Sequence, residues 1–87
     1  KIGKICRKNQ IPFIYHSDGN IMEIIDDLID CGFTAIHPVE EKAMRISSVY
    51  NKYKDKLCLL GNIDMDILIR CNPEDVENLV LNNLKNI

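Results

Sequence analysis

The sequence predicts an α/β fold of three consecutive parallel strand-helix units, and three stretches of its 87 residues carry that prediction. They are Pro12-Phe13-Ile14-Tyr15-His16-Ser17-Asp18-Gly19-Asn20, Phe33-Thr34-Ala35-Ile36-His37-Pro38-Val39-Glu40 and Leu57-Cys58-Leu59-Leu60-Gly61-Asn62-Ile63-Asp64. Each is an apolar run that ends in polar or turn-forming residues with a carboxylate just past it, and each gives way to a helical pattern. Continuous apolar runs of this length are the mark of strands buried on both faces. Strands joined through helices need right-handed crossovers and run parallel, so their polar ends share one rim. That rim is where open α/β sheets and (β/α)8 barrels hold their chemistry.

Taken in order, Lys1 to Lys8 reads as the end of a helix, with Ile2 and Ile5 on one face. Lys1, Lys4, Arg7 and Lys8 place cations where a helix C-terminus favours them, and are expected to form a solvated helix end. Asn9-Gln10 is the exit turn, and Pro12 opens the first strand, where a missing N–H is tolerated. Asn20, with Glu23 three residues on, is a capping-box relative for a helix that buries Ile21, Ile24, Ile25 and Leu28 and stops at Gly32. The acids Asp26, Asp27 and Asp30 lie mostly on its opposite, solvated side.

Pro38 limits ladder pairing, so the second strand should stop near Ile36 or His37. A helix from about Glu41 to Tyr53 follows, its buried stripe formed by Ala43, Ile46, Tyr50 and Tyr53 and widened by Met44 and Val49. Gly61 in the third strand marks a close approach by another backbone, a side chain or a ligand. Met65 to Cys71 is short enough to form a single turn. Asn72-Pro73-Glu74-Asp75 is a strong helix start, with a capping residue, Pro at the first helical position and acids in the first turn. The last helix is expected to bury Val76, Leu79, Val80, Leu84 and Ile87.

Composition narrows the function classes. With 46% apolar and 28% charged residues the chain has the balance of a globular domain, or part of one, and no linker divides it. A formal charge of −2 with scattered basic residues leaves no footprint for nucleic acid or a membrane surface. No apolar run approaches the roughly 18 residues of a membrane span, and no signal peptide is visible. Cys6, Cys31, Cys58 and Cys71 show neither C-x-x-C nor regular ligand spacing and read as reduced, mostly buried thiols of a cytoplasmic protein. The first residue is not Met, and the opening segment looks cut from a longer helix, so residue 1 is expected to be an internal point of a longer chain.

His16, Asp18, Asn20, His37, Glu40, Asn62 and Asp64 should all stand at strand C-termini within reach of a common cavity. Each also has a local reading. Asn20 and Asp64 can cap the helices that follow them, Glu40 can meet a helix N-terminus, and His16 can be satisfied by a hydrogen bond inside the fold.

These stretches, above all Leu60-Gly61-Asn62-Ile63-Asp64 with the downstream Pro73-Glu74-Asp75-Val76, resemble the uroporphyrinogen decarboxylase superfamily, which includes methylcobamide:thiol methyltransferases. The resemblance runs from about Ile11 to Ile87. It implies a partial (β/α)8 TIM barrel, with residues 1-87 a single segment of its C-terminal half lacking the final strand. It also implies that an acid holding the pyrrole nitrogens lies on an early strand outside these residues. Decarboxylation of a tetrapyrrole carboxylate side chain is the implied activity, with His16 and Asp18 catalytic, Asn20, His37, Glu40, Gly61, Asn62 and Asp64 binding substrate, and no cofactor.

The alternative is metal-assisted methyl transfer between a corrinoid and a thiol, needing zinc, a corrinoid partner and His16 as a metal ligand. Methyltransferases of the superfamily carry His-x-Cys where this chain has His16-Ser17-Asp18, so a thiolate is replaced by a carboxylate, which zinc also accepts. Decarboxylases commonly have an acidic-aromatic pair where this chain has His37-Pro38. A third reading, outside enzymology, is a non-catalytic α/β binding or assembly module. Partners are a small molecule, together with the remaining barrel strands or further copies of the chain; the isolated segment is expected to be inactive.

Overall fold

The computed structural model describes residues 1–85. Their elements run α1 (Ile2–Lys8), β1 (Ile14–His16), a 3-10 turn (Met22–Ile24), α2 (Ile25–Asp30), β2 (Ala35–His37), α3 (Ile46–Tyr53), β3 (Cys58–Leu59), α4 (Met65–Arg70) and α5 (Pro73–Lys85). Among the described residues one three-stranded sheet forms, in the order β1-β2-β3, with both pairs parallel. This is the expected α/β arrangement of three strands and their helices. Ile14, Tyr15 and His16 stand opposite Ala35, Ile36 and His37, and Ala35 and Ile36 stand opposite Cys58 and Leu59. The ladder continues past the regular strands: Ser17 N–H donates to the His37 carbonyl at 3.0 Å, Leu60 N–H to Ile36 at 3.0 Å and Val39 N–H to Leu60 at 2.9 Å. The polar ends of the three strands are therefore held side by side.

Side chains alternate across a sheet, and here the two faces differ. Tyr15, Ile36 and Leu59 stand at one level and face α2 and α3. Ile36 is sealed among Ile25 and Leu28 of α2 and Val49 and Tyr53 of α3, with Ile21, Val39, Met44 and Leu57 completing the core. Fully burying an aliphatic side chain of this kind contributes roughly 1.5–3 kcal/mol. On the other face Ile14 and His16 of β1 and Cys58 of β3 remain exposed, whereas Ala35 of the central strand is buried and His37 half-buried. The expectation of strands buried on both faces thus holds for Ala35 and Ile36 of β2 and is corrected for β1 and β3. The helices that cross over between these strands all pack on one side, and Ile14 keeps 49% of its surface.

The base of the sheet is locked by aromatic and glycine contacts. Phe13 stacks on Phe33 at 4.0 Å, and Tyr15 meets Phe33 edge-on at 5.2 Å. Helix α1 lies against the end of α2 so closely that a Cβ on Gly3 would collide with the Cys31 carbonyl. Arg7 donates to the Ile29 and Asp30 carbonyls at 2.9 and 3.4 Å, adding a second donor at Ile29, which also accepts the Gly32 N–H, and meeting Asp30 at the end of α2. The basic segment is therefore not simply a solvated helix end, because its guanidinium, that of Arg7, meets the end of a neighbouring helix.

Several elements differ in extent from what the apolar pattern predicts. The second helical segment begins as a 3-10 turn, and its buried stripe is Ile21, Ile25 and Leu28, with Ile24 39% exposed. Helix α3 starts at Ile46 and not near Glu41, because the Glu40 carbonyl accepts from Ala43 and Met44 in a tight turn and Arg45 is extended. The Glu41 carboxylate then accepts the Ile46 N–H at 3.1 Å. Met65–Arg70 forms a short helix where a single turn was expected. Asn72 caps α5 as expected, its Oδ1 accepting the Asp75 N–H at 2.9 Å.

The far end is open. Among its described residues α5 buries none fully: Val76 and Leu79 are half-buried, whereas Val80, Leu81 and Leu84 are exposed. The expected burial of Val80 and Leu84 fails: they keep 37% and 64% of their surface, and no described element covers that part of the α5 stripe. Ile87 lies outside the described residues. The cysteines are free thiols, but Cys31, Cys58 and Cys71 are exposed and Cys6 half-buried, correcting the expectation of burial. Their positions at helix ends and on the open sheet face explain the difference.

Candidate functional site

The rim is built by where each strand stops. Strand β1 ends at His16, and the turn Ser17-Asp18-Gly19 reverses the chain with Gly19 at φ +87°. Asn20 Oδ1 then accepts the Met22 N–H at 3.0 Å, starting the 3-10 turn. Strand β2 ends at His37, and Val39 turns inward to become fully buried. Gly61, at φ +106°, passes so close that a Cβ there would stand 3.2 Å from the Val39 nitrogen and 3.3 Å from Pro38. The close backbone approach read from Gly61 is thus the passage of the β2 exit past the β3 exit.

Because His16 and His37 occupy the same level of adjacent parallel strands, their rings meet. Nδ1 of one lies 2.8 Å from Nδ1 of the other, with ring centroids 4.9 Å apart and planes tilted by 40°. His16 is exposed and His37 half-buried. A hydrogen bond between two imidazole nitrogens needs one that carries a proton and one that is bare.

The remaining rim residues are held elsewhere. Among the described residues the carboxylates of Asp18 and Glu40 are exposed and do not join the histidine pair. Asn62, at φ +122°, turns its Oδ1 to accept from Asn83 Nδ2 of α5 at 2.7 Å. Asp64 caps α4 by accepting the Asp66 N–H at 2.8 Å, and pairs with Lys42 Nζ at 2.7 Å. Hydrogen bonding to that ammonium, with the Asp66 N–H, holds the Asp64 carboxyl below its ordinary value. The same hydrogen bond to Asp64 and its charge raise Lys42. A weaker contact joins Lys42 to Asp66 at 3.6 Å.

Lys42 and Asn83 were not among the residues the sequence singled out. Lys42 gave no signal, since it sits in a charged stretch that reads as solvated. Asn83 did give one: Val76, Leu79, Val80, Asn83 and Leu84 share the i, i+3, i+4, i+7, i+8 stripe of α5, and a polar residue there asks for a partner.

The two histidines direct Nδ1 at each other, and among the described residues no group of three or more His, Cys, Asp or Glu is placed to hold a metal. Nor is any described helix long and apolar enough to cross a membrane.

A parallel sheet whose strand ends carry imidazole, amide and carboxylate groups along one edge defines an α/β segment of the kind on which enzymes build their sites. Over residues 1–87 the sequence matches the family model described as Uroporphyrinogen decarboxylase (URO-D), and the chain belongs to that family. Comparisons with curated proteins and with solved structures gave no match.

Proposed function

We propose that these residues form one wall of a (β/α)8 enzyme that removes a carboxylate side chain from a tetrapyrrole. The observation that carries this reading is the meeting of His16 and His37 at the C-terminal edge of parallel strands, in a chain that matches the decarboxylase family along its whole length. When a carboxylate leaves as CO2, its bonding electron pair stays on carbon and must take up a proton. A positioned imidazole at the edge of the sheet is suited to supply it. His16 is the proton-handling group, and Asp18 is the carboxylate nearest to it in sequence. His37, Asn20 and Glu40, with the Gly61-Asn62 turn and Asp64, shape the surface against which the substrate lies.

The exposed inner face of the sheet and the apolar residues left uncovered on α4 and α5 are what a barrel wall shows when its neighbours are absent. Met65 and Ile69 keep 72% and 76% of their surface. The remaining strands come from further chain or from association. The 87-residue chain alone is therefore expected to give no turnover. Release of CO2 from a uroporphyrinogen by the complete barrel, lost by a factor of about 10² or more on His16→Ala, is the expected result. Undiminished release by that variant would overturn the assignment.

The methyl-transfer alternative requires zinc, with His16 as a ligand, and a corrinoid partner. The assembly-module reading makes a different prediction for the purified chain. It requires a compact monomer at all concentrations, whereas an unfinished barrel wall self-associates, and light scattering over a range of concentrations separates them.

A further inference from the structure

The direct contact between the two histidines has a consequence beyond supplying a proton donor. When both rings are neutral, each carries one N–H. A 2.8 Å Nδ1···Nδ1 hydrogen bond places a proton on one Nδ1 and leaves the other bare. The ring with Nδ1–H then has a bare Nε2, and the ring with the bare Nδ1 has Nε2–H. Nε2 lies across each ring from Nδ1, so both outer nitrogens point away from the contact. The pair therefore presents one proton acceptor and one proton donor at the same rim, and the tautomer of each ring is set by its partner.

We propose that His16 and His37 act as a single proton relay. A solvent proton binds the bare Nε2 of one ring, the shared proton crosses from that ring's Nδ1 to the other Nδ1, and the second ring releases its Nε2 proton. One proton enters, one leaves, and neither ring changes its net charge over the step. The task this serves rests on the decarboxylation reading: the C–C bond breaks, CO2 departs, the electron pair remains on carbon, and the released Nε2 proton forms the new C–H bond. The step leaves both tautomers inverted, and the pair resets once product has left: solvent protonates the bare Nε2 of the donating ring, the shared proton crosses back, and the other ring returns its Nε2 proton to solvent. The relay joins the half-buried ring to the exposed one, so a substrate covering His37 would still draw protons through His16. Parallel register is what makes this possible, because it puts two residues 21 positions apart at the same level of neighbouring strands.

The test reads tautomers directly and needs no substrate. With 15N-labelled histidine above pH about 8, where an ordinary imidazole is neutral, the Nδ1 protonation of His16 and His37 should sum to one proton across the pair. A scalar coupling should connect the two Nδ1 atoms. His37→Phe should abolish the coupling and return His16 to a tautomer independent of position 37. Both rings found as Nε2–H forms with no coupling would overturn the pair, whatever the activity. In the complete enzyme, His16→Gln and His37→Gln should each lower decarboxylation about 10²-fold, and the double variant should lose no more than either single one. Losses that multiply would overturn the relay while leaving decarboxylation intact. Complementary tautomers in an enzyme that releases no CO2 would uphold the pair and refute the decarboxylation reading alone.

Discussion

The two faces of the sheet share the same strands and nearly the same neighbours, yet they behave as different materials. On the helix-covered face Tyr15, Ile36 and Leu59 join a core in which Ile25, Val39 and Val49 lose all contact with solvent. On the other, one residue along each strand, Ile14 and Cys58 lie open and His16 touches His37. A difference of a single position decides whether a side chain supports the fold or is available for chemistry. The covered face gives the sheet its stability; the open face carries the His16–His37 pair, with no described element opposite it.

The largest effect expected from breaking this contrast is at Ile36. Ile36→Ala should cost about 2–5 kcal/mol, read as a shift in the urea midpoint. Ile14→Ala on the exposed face should cost well under half of that. Equal losses would mean that the open face is packed in solution.

Gly61→Ala tests the rim. A Cβ there meets the Val39 nitrogen at 3.2 Å, in a backbone region that side chains rarely adopt. A loss of about 1–3 kcal/mol is expected by denaturant unfolding. Gly19→Ala, also at positive φ but with open space around it, should be milder.

His16→Gln and His37→Gln should leave the unfolding midpoint within about 1 kcal/mol of the parent, while the loss in activity is large. That split between stability and activity is what separates the open face from the covered one.

The Lys42–Asp64 pair should have a smaller effect, screened by salt. Asp64 is held below its ordinary value, so its contribution is full above the usual carboxylate range and disappears as pH falls through the folded-state value. Lys42 is raised, so its contribution is present below the usual lysine range and disappears as pH rises through its folded-state value. Asp64→Asn keeps a capping side chain but removes the charge. It should flatten the acid limb of the stability profile, and Asp64→Ala, which also loses the cap, should cost more.

Much of this architecture was legible in the sequence, because three apolar runs with polar endings can close only as parallel strands when helices join them. His37 as a strand end, Asn72 as a cap and Gly61 as a close approach followed from local chemistry alone. The late start of α3 did not, because it depends on a turn at Glu40 that competes with an equally regular helical pattern. Nor did the exposure of Val80 and Leu84 on α5. Periodicity shows which side of a helix is apolar but not whether anything covers it. Within the rim, the sequence placed His16 and His37 at neighbouring strand ends, but their contact required the register, and Lys42 and Asn83 entered through pairings with residues distant in sequence, Asp64 and Asn62.

The account depends most on that register, and the nuclear Overhauser contacts of the His16 ring test it directly. Parallel pairing predicts strong cross-peaks between the imidazole protons of His16 and His37, with the Ser17 amide protected from exchange by the His37 carbonyl. Cross-peaks from His16 to Ala35 instead, with Ile14 beside His37, would mean that the strands run in opposite directions, and the shared rim would not exist.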